Sequence, residues 1–208
     1  MSKNRIRSIL FDFGGVLAEE GFRDGLLALA KEQKLNIEQM PAQAMHAVYD
    51  SGFVLGHGTA ADFWALLRER SGLKGEDTAL SKRILDGFII RPWMLELVKK
   101  LHEDAYITGI LSDQTHWLDK LDQHYHFYPV FDHIYNSYYL GKGKQDVSLF
   151  TDVASDLKLK PGEILFIDDD AANVARAQRA GMQTIHYLDR ESFTAALESM
   201  LAKNTLPA

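Results

Sequence analysis

The stretch Ile9-Leu10-Phe11-Asp12-Phe13-Gly14-Gly15-Val16-Leu17 decides the fold. With Ser8 it opens as a short apolar run that stops at an aspartate and two glycines. A run of that kind reads as a strand buried on both faces, as in a parallel sheet. Two further runs repeat the pattern. Tyr106 to Leu111 ends at Ser112-Asp113, and Ile164-Leu165-Phe166-Ile167 ends at Asp168-Asp169-Asp170. Val130 to Tyr135 and Thr184 to Leu188 read as shorter strands.

Helical patterns fill the intervals. From Phe22 to about Ser71 the apolar residues recur at helical spacing, interrupted by a loop at Gly52, Gly56 and Gly58. Thr59 with Asp62 marks a helix start, and another helix covers Asp77 to Phe88. Arg91-Pro92 opens the next, with proline near its first position. Helices follow after Asp113, over Phe150 to Leu157, and over Ala171 to Ala180, where Gly181 closes the last. The tail from Lys203 to Ala208 is expected to fray. Strands alternating with helices predict an α/β fold, a doubly wound parallel sheet, with a small helical cap inserted after the first strand. The expected division is a core of residues 1–17 and 91–208 and a cap of residues 18–90.

Composition narrows the function classes. The 208 residues are 46% apolar and 25% charged, enough for a sizeable core. A net charge of -6 offers no general footprint for nucleic acid and disfavours anionic membranes. With no cysteine, disulfides, thiolate metal sites and cysteine nucleophiles are excluded. The first apolar stretch is too polar for a signal peptide, so the chain reads as cytoplasmic. Oligomeric state is not readable.

Chemistry concentrates where three apolar strands end: Asp12, Ser112-Asp113 and Asp168-Asp169. In open parallel sheets the ligand sits beyond the carboxyl ends of the strands, where these groups would converge. Lys144, in the loop Gly141-Lys142-Gly143-Lys144, is a cation candidate, and Lys142 competes with it.

These stretches together resemble the haloacid dehalogenase (HAD) superfamily. Ile9 to Leu17 is similar to its first motif and Leu111-Ser112-Asp113 to its second. Lys144 stands where the third-motif lysine is expected. Phe166 to Asn173, followed by Ala180-Gly181, is similar to the fourth. The resemblance spans residues 6 to 188 and implies an enzyme: a Mg²⁺-dependent phosphatase of the small-cap, sugar-phosphate branch, acting on a small phosphorylated metabolite. It implies Asp12 as nucleophile through an aspartyl-phosphate. Asp12, Asp169 and the Gly14 carbonyl would be metal ligands, with Asp168 behind them or acting through water. Ser112, the Asp113 N–H and Lys144 would hold the phosphoryl oxygens, with Gly14 and Gly15 allowing close backbone approach.

Two departures matter. The usual phosphatase motif carries an acid–base aspartate two residues after the nucleophile, where this chain has Gly14. Such help is typically worth ~10²–10⁴ in rate. Glu19 or Glu20, at the entry to the cap, or a water, are the candidates to replace it. Gln145 stands where a proline often follows the lysine. The missing aspartate keeps two alternatives open: a metal-independent 2-haloacid dehalogenase, or a catalytically weak protein that binds ligands or partners. The fourth-motif aspartates weigh toward the phosphatase. Plainer readings also stand beside single residues. Asp170 suits a helix cap, Asn173 suits either the site or a helix surface, and the aromatics from His116 to Tyr128 suit packing. The eight histidines show no metal-ligand spacing.

Overall fold

A computed structural model describes residues 5–205. Five strands, β1 (Ser8–Phe11), β2 (Ile107–Ser112), β3 (His133–Asn136), β4 (Ile164–Asp168) and β5 (Gln183–His186), form one sheet. Their order is β3-β2-β1-β4-β5, and every neighbouring pair is parallel. β1 therefore lies in the centre, which is why all four of its residues are buried. The helices are α1 (Gly21–Glu32), α2 (Met40–Asp50), α3 (Ala60–Ser71), α4 (Asp77–Leu85) and α5 (Pro92–Glu103). They continue as α6 (Trp117–Tyr125), α7 (Ser137–Leu140), α8 (Ser148–Asp156), α9 (Ala171–Arg179) and α10 (Arg190–Thr205).

Side chains alternate across a strand, so β1 and β4 feed two cores. Ile9, Phe11, Leu165 and Ile167 pack on one face with α5, α6 and α10. Leu10, Ile164 and Phe166 pack on the other with Leu149, Phe150 and Val153 of α8 and Ala177 of α9. This is the doubly wound α/β architecture expected above.

Several boundaries moved. The long helical stretch from Phe22 to Ser71 is three α-helices with a 3₁₀ turn at Phe53–Leu55, flanked by Gly52 and Gly56 in left-handed conformation. Val130 belongs to a 3₁₀ turn rather than to β3. The tail expected to fray is helical as far as Thr205, in α10, and the remaining residues 206–208 lie outside the described residues. Thr59 and Asp62 form the reciprocal capping box at the start of α3. Among the described residues, no helix is long and apolar enough to cross a membrane.

The helices α1 to α4 leave and re-enter the sheet through two adjacent chain segments. Glu19 N–H donates to the Ile89 carbonyl at 2.9 Å, and Arg91 N–H donates to the Leu17 carbonyl at 2.9 Å. The Arg91 side chain staples the same crossing. Its Nη1 donates to the Gly15 and Val16 carbonyls at 2.7 and 3.0 Å, and its guanidinium forms a two-pronged pair with Glu19. A third tie is aromatic. Phe53, buried beside α3, packs within 6.3 Å, centroid to centroid, of Phe63, His116, Trp117 and Tyr138. Phe53→Ala empties the middle of this seam. It should cost about 3–5 kcal/mol, read as a lower denaturant midpoint at unchanged m-value.

Candidate active site

β1 ends at Phe11, and the Asp12 N–H continues the ladder by donating to the Ile167 carbonyl of β4 at 2.8 Å. Asp12 and Asp168 thereby emerge from neighbouring strands at the same edge of the sheet. Ser112 ends β2 on the other side of β1. The three strand-end groups expected to converge do so, around a cavity of about 630 Å³ that Asp12, Gly14, Ser112, Asp113, Lys144 and Asp169 help to line.

Lys144 is at the centre. Its side chain is 2% exposed, and its Nζ lies 2.9 Å from Asp12 Oδ2 and 2.6 Å from Asp168 Oδ2. The backbone holds it there, since the Lys144 N–H donates to the Asp113 carboxylate at 2.9 Å. Lys142 points elsewhere: its Nζ bonds Ser148 and Asp152 of α8. Of the two lysines, Lys144 is the one whose ammonium meets the strand-end carboxylates. Gly143 between them is buried, and a side chain there would meet Tyr49 and Asp113.

The carboxylates differ in their surroundings. Asp12 is buried, accepts a bond from the Phe13 N–H, and interacts with Ser112. Burial raises its pKa; Lys144 and Ser112 oppose the rise. Asp168 is fully buried and its pKa is raised to about 6 by that burial, with Lys144 opposing and Asp12 adding to it. Its Oδ1 accepts from the Asp170 N–H, and Asn173 Nδ2 reaches its Oδ2 at 3.2 Å, so Asn173 braces the loop. Asp170 itself caps α9. Asp169 is half-buried and faces the cavity, and burial with the Asp168 charge pushes its pKa up. Burial opposes the charge on Lys144, yet Asp12, Asp168 and Asp113 outweigh it and hold the ammonium well above the ordinary lysine range.

Oxygen atoms of Asp12, Asp168 and Asp169 all lie within 4.8 Å of one another. Three carboxylates with one ammonium leave an excess of negative charge in a desolvated place, which is costly without a further cation. The donor set is all oxygen, which suits a hard divalent ion such as Mg²⁺. Gly15 makes this approach possible. Its φ is +78°, and a Cβ there would overlap the Asp169 carboxylate.

The sequence did not point to Tyr49 or to the rest of α2. The Tyr49 hydroxyl donates to Asp113 Oδ2 at 2.5 Å, so a helix of the insert touches the second strand-end group directly. With Pro41, Met45 and Val48 it forms a stripe of α2 that lines the cavity. The spacing of positions 41, 45, 48 and 49 was a helical stripe available to sequence reasoning. Trp117, assigned to packing, is buried in the core and also lines the cavity. Glu20 lines the cavity, whereas Glu19 is held outside it by Arg91.

Similarity to known proteins identifies the family. The family model for haloacid dehalogenase-like hydrolases matches residues 6–181. Bifunctional epoxide hydrolase 2 of Rattus norvegicus is 30% identical over 125 residues, which are 54% of this chain and 21% of that protein. A sesquiterpene phosphatase of Aspergillus oryzae is 29% identical over 134 residues, 62% of this chain and 66% of that protein. Both matches thus take in less than two thirds of the relative's length. A HAD family enzyme of Bacteroides thetaiotaomicron, solved as a magnesium complex, superposes with a TM-score of 0.71 at 25% identity. That match covers 93% of this chain and 99% of the other. The same enzyme solved with magnesium and inorganic phosphate gives 0.68 at 24% identity, over 90% and 98% of the two chains. The chain belongs to the haloacid dehalogenase-like hydrolases.

Proposed function

We propose that the protein is a Mg²⁺-dependent phosphatase that cleaves a small phosphate monoester with Asp12 as the nucleophile. The observation that carries this reading is the Lys144 ammonium set between Asp12 and Asp168, with Asp169 beside them. A site of that composition attracts a phosphoryl group only when its own carboxylates are neutralised. Asp12 and Asp169 would hold the metal directly, with Asp168 behind them. Bound there, Mg²⁺ would screen the repulsion between the Asp12 carboxylate and the incoming phosphoryl oxygens.

The chain's own groups do the rest. Ser112 and the Asp113 N–H bind the phosphoryl oxygens, and Lys144 adds fixed positive charge. An Asp12 carboxylate oxygen attacks phosphorus, the ester P–O bond breaks, and the leaving oxygen departs, taking up a proton to become the alcohol. Water then attacks the phosphorus of the aspartyl-phosphate, releasing inorganic phosphate and restoring Asp12. In this reading residues 18–90 act as a cap over a core of residues 1–17 and 91–208. The cap wall of the cavity is mostly apolar, with Leu26, Pro41, Met45, Val48 and Val54 beside the polar Glu20, Arg23 and Tyr49. That lining suits an ester with an apolar organic part better than a sugar phosphate, whose hydroxyls need polar partners. The similarity to a protein named as a sesquiterpene phosphatase supports the same direction.

Asp12→Asn keeps size and packing but removes the nucleophile. Phosphate release from a panel of monoesters should fall to background while the circular dichroism spectrum and melting curve stay near those of the wild type. Turnover at the wild-type rate would remove Asp12 from the mechanism. Lys144→Ala should lower kcat/KM by about 10²–10³, the scale of losing one preorganised charge partner. Lys142→Ala should leave kcat/KM near the wild-type value, because that ammonium faces Asp152 on α8.

A further inference from the structure

Position 14 lacks the side chain that usually supplies acid–base help, and its surroundings show what fills the space. A Cβ built on Gly14 would lie 3.6 Å from Glu20 Oε2, 3.8 Å from Gln114 Nε2 and 3.3 Å from Phe88 Cε1. Of these three neighbours only Glu20 can give and take a proton. Its carboxyl is anchored at one end: Oε1 accepts from the Phe22 and Arg23 N–H groups at 3.0 and 3.1 Å, capping α1. The other oxygen is thereby directed at position 14, inside the cavity that Asp12 also lines.

We propose that Glu20 is the general acid and base of this enzyme, reaching the reacting oxygen from the first turn of α1 in place of a side chain at position 14. The inference rests on the phosphatase reading above and adds one catalytic residue to it. Other proton donors around the cavity are committed elsewhere. The Tyr49 hydroxyl is bonded to Asp113, and His186 Nε2 lies 2.9 Å from the Asp169 carbonyl. Glu19, one residue earlier, is paired with Arg91 outside the cavity.

The step balances. As the Asp12 oxygen bonds to phosphorus and the ester P–O bond breaks, the Glu20 proton passes to the leaving oxygen and an alcohol departs. Glu20, now a carboxylate, takes a proton from the water that attacks the aspartyl-phosphate. The P–O bond to Asp12 breaks, phosphate leaves, and Glu20 is again protonated. The same geometry explains why an aspartate at position 14 would gain little. Its Cβ would press on Phe88 and its carboxyl would compete with Glu20 for one space.

The test is a leaving-group series. kcat/KM, which reports the steps through alcohol departure, is measured for wild type and Glu20→Gln on phosphate monoesters from 4-nitrophenyl to simple alkyl. Glutamine keeps an oxygen for the α1 cap but has no acid proton to give, so the fold is preserved; a melting curve checks this. The expected loss is small for 4-nitrophenyl phosphate and grows to about 10² or more for alkyl phosphates, which need protonation most. Glu20→Asp, which retains an acid, should recover part of the alkyl rate. A loss equal across the series, or none, would overturn the assignment of Glu20 while leaving the phosphatase intact. A wild type that releases phosphate from no member of the series would overturn the phosphatase reading itself, and the role of Glu20 with it.

Discussion

A buried ammonium between two buried carboxylates is the constraint from which the rest of the site follows. Lys144 Nζ sits 2.9 Å from Asp12 and 2.6 Å from Asp168, with almost no exposure of any of the three. Bringing such charges out of water costs several kcal/mol per ion, which only close pairing offsets. The pairing therefore locks three distant parts of the chain together: the end of β1, the end of β4, and the loop after α7. It also leaves Asp169 as an additional negative group at the cavity, and that excess charge is what makes the place receptive to a cation.

The fold serves this cluster by supplying rigid positions. β1 runs between β2 and β4, so the residue that follows it is flanked by strand ends on both sides. The insert is tied to the same edge by the Arg91 staple at its root and by the Tyr49 hydroxyl on Asp113 at the cavity. Asp113 joins the two systems. One carboxylate accepts from Tyr49 of the insert and from the N–H of Lys144 in the core. Asp113 thus links the insert directly to the loop that carries the lysine.

Much of this was legible in the residues. Three apolar runs stopped by acidic or hydroxyl groups specified a parallel sheet and its ligand edge, because a strand buried on both faces has little room for polar residues except at its ends. Asp12, Asp168 and Asp169 were found that way. Lys144 was harder, since a loop with two glycines leaves the register of neighbouring lysines open. Only the bonds of the Asp113 carboxylate to its N–H settle which one enters. Tyr49 and Arg91 were not found, because each acts across a separation of more than sixty residues; the helical stripe to which Tyr49 belongs marks a buried face but not its partner Asp113. Glu19 and Glu20 were indistinguishable as neighbours in sequence. They separate in space because the cap of α1 turns one inward and Arg91 draws the other out.

The most direct measurement of the central claim is the metal dependence of the leaving group. Phosphate release from phosphate monoesters and halide release from 2-haloacids are measured in parallel, once with Mg²⁺ and once with excess chelator. The account predicts phosphate release that appears with Mg²⁺, vanishes with chelator and returns when the metal is restored, with no halide in either condition. Halide release that persists in chelator, without phosphate release, would contradict it.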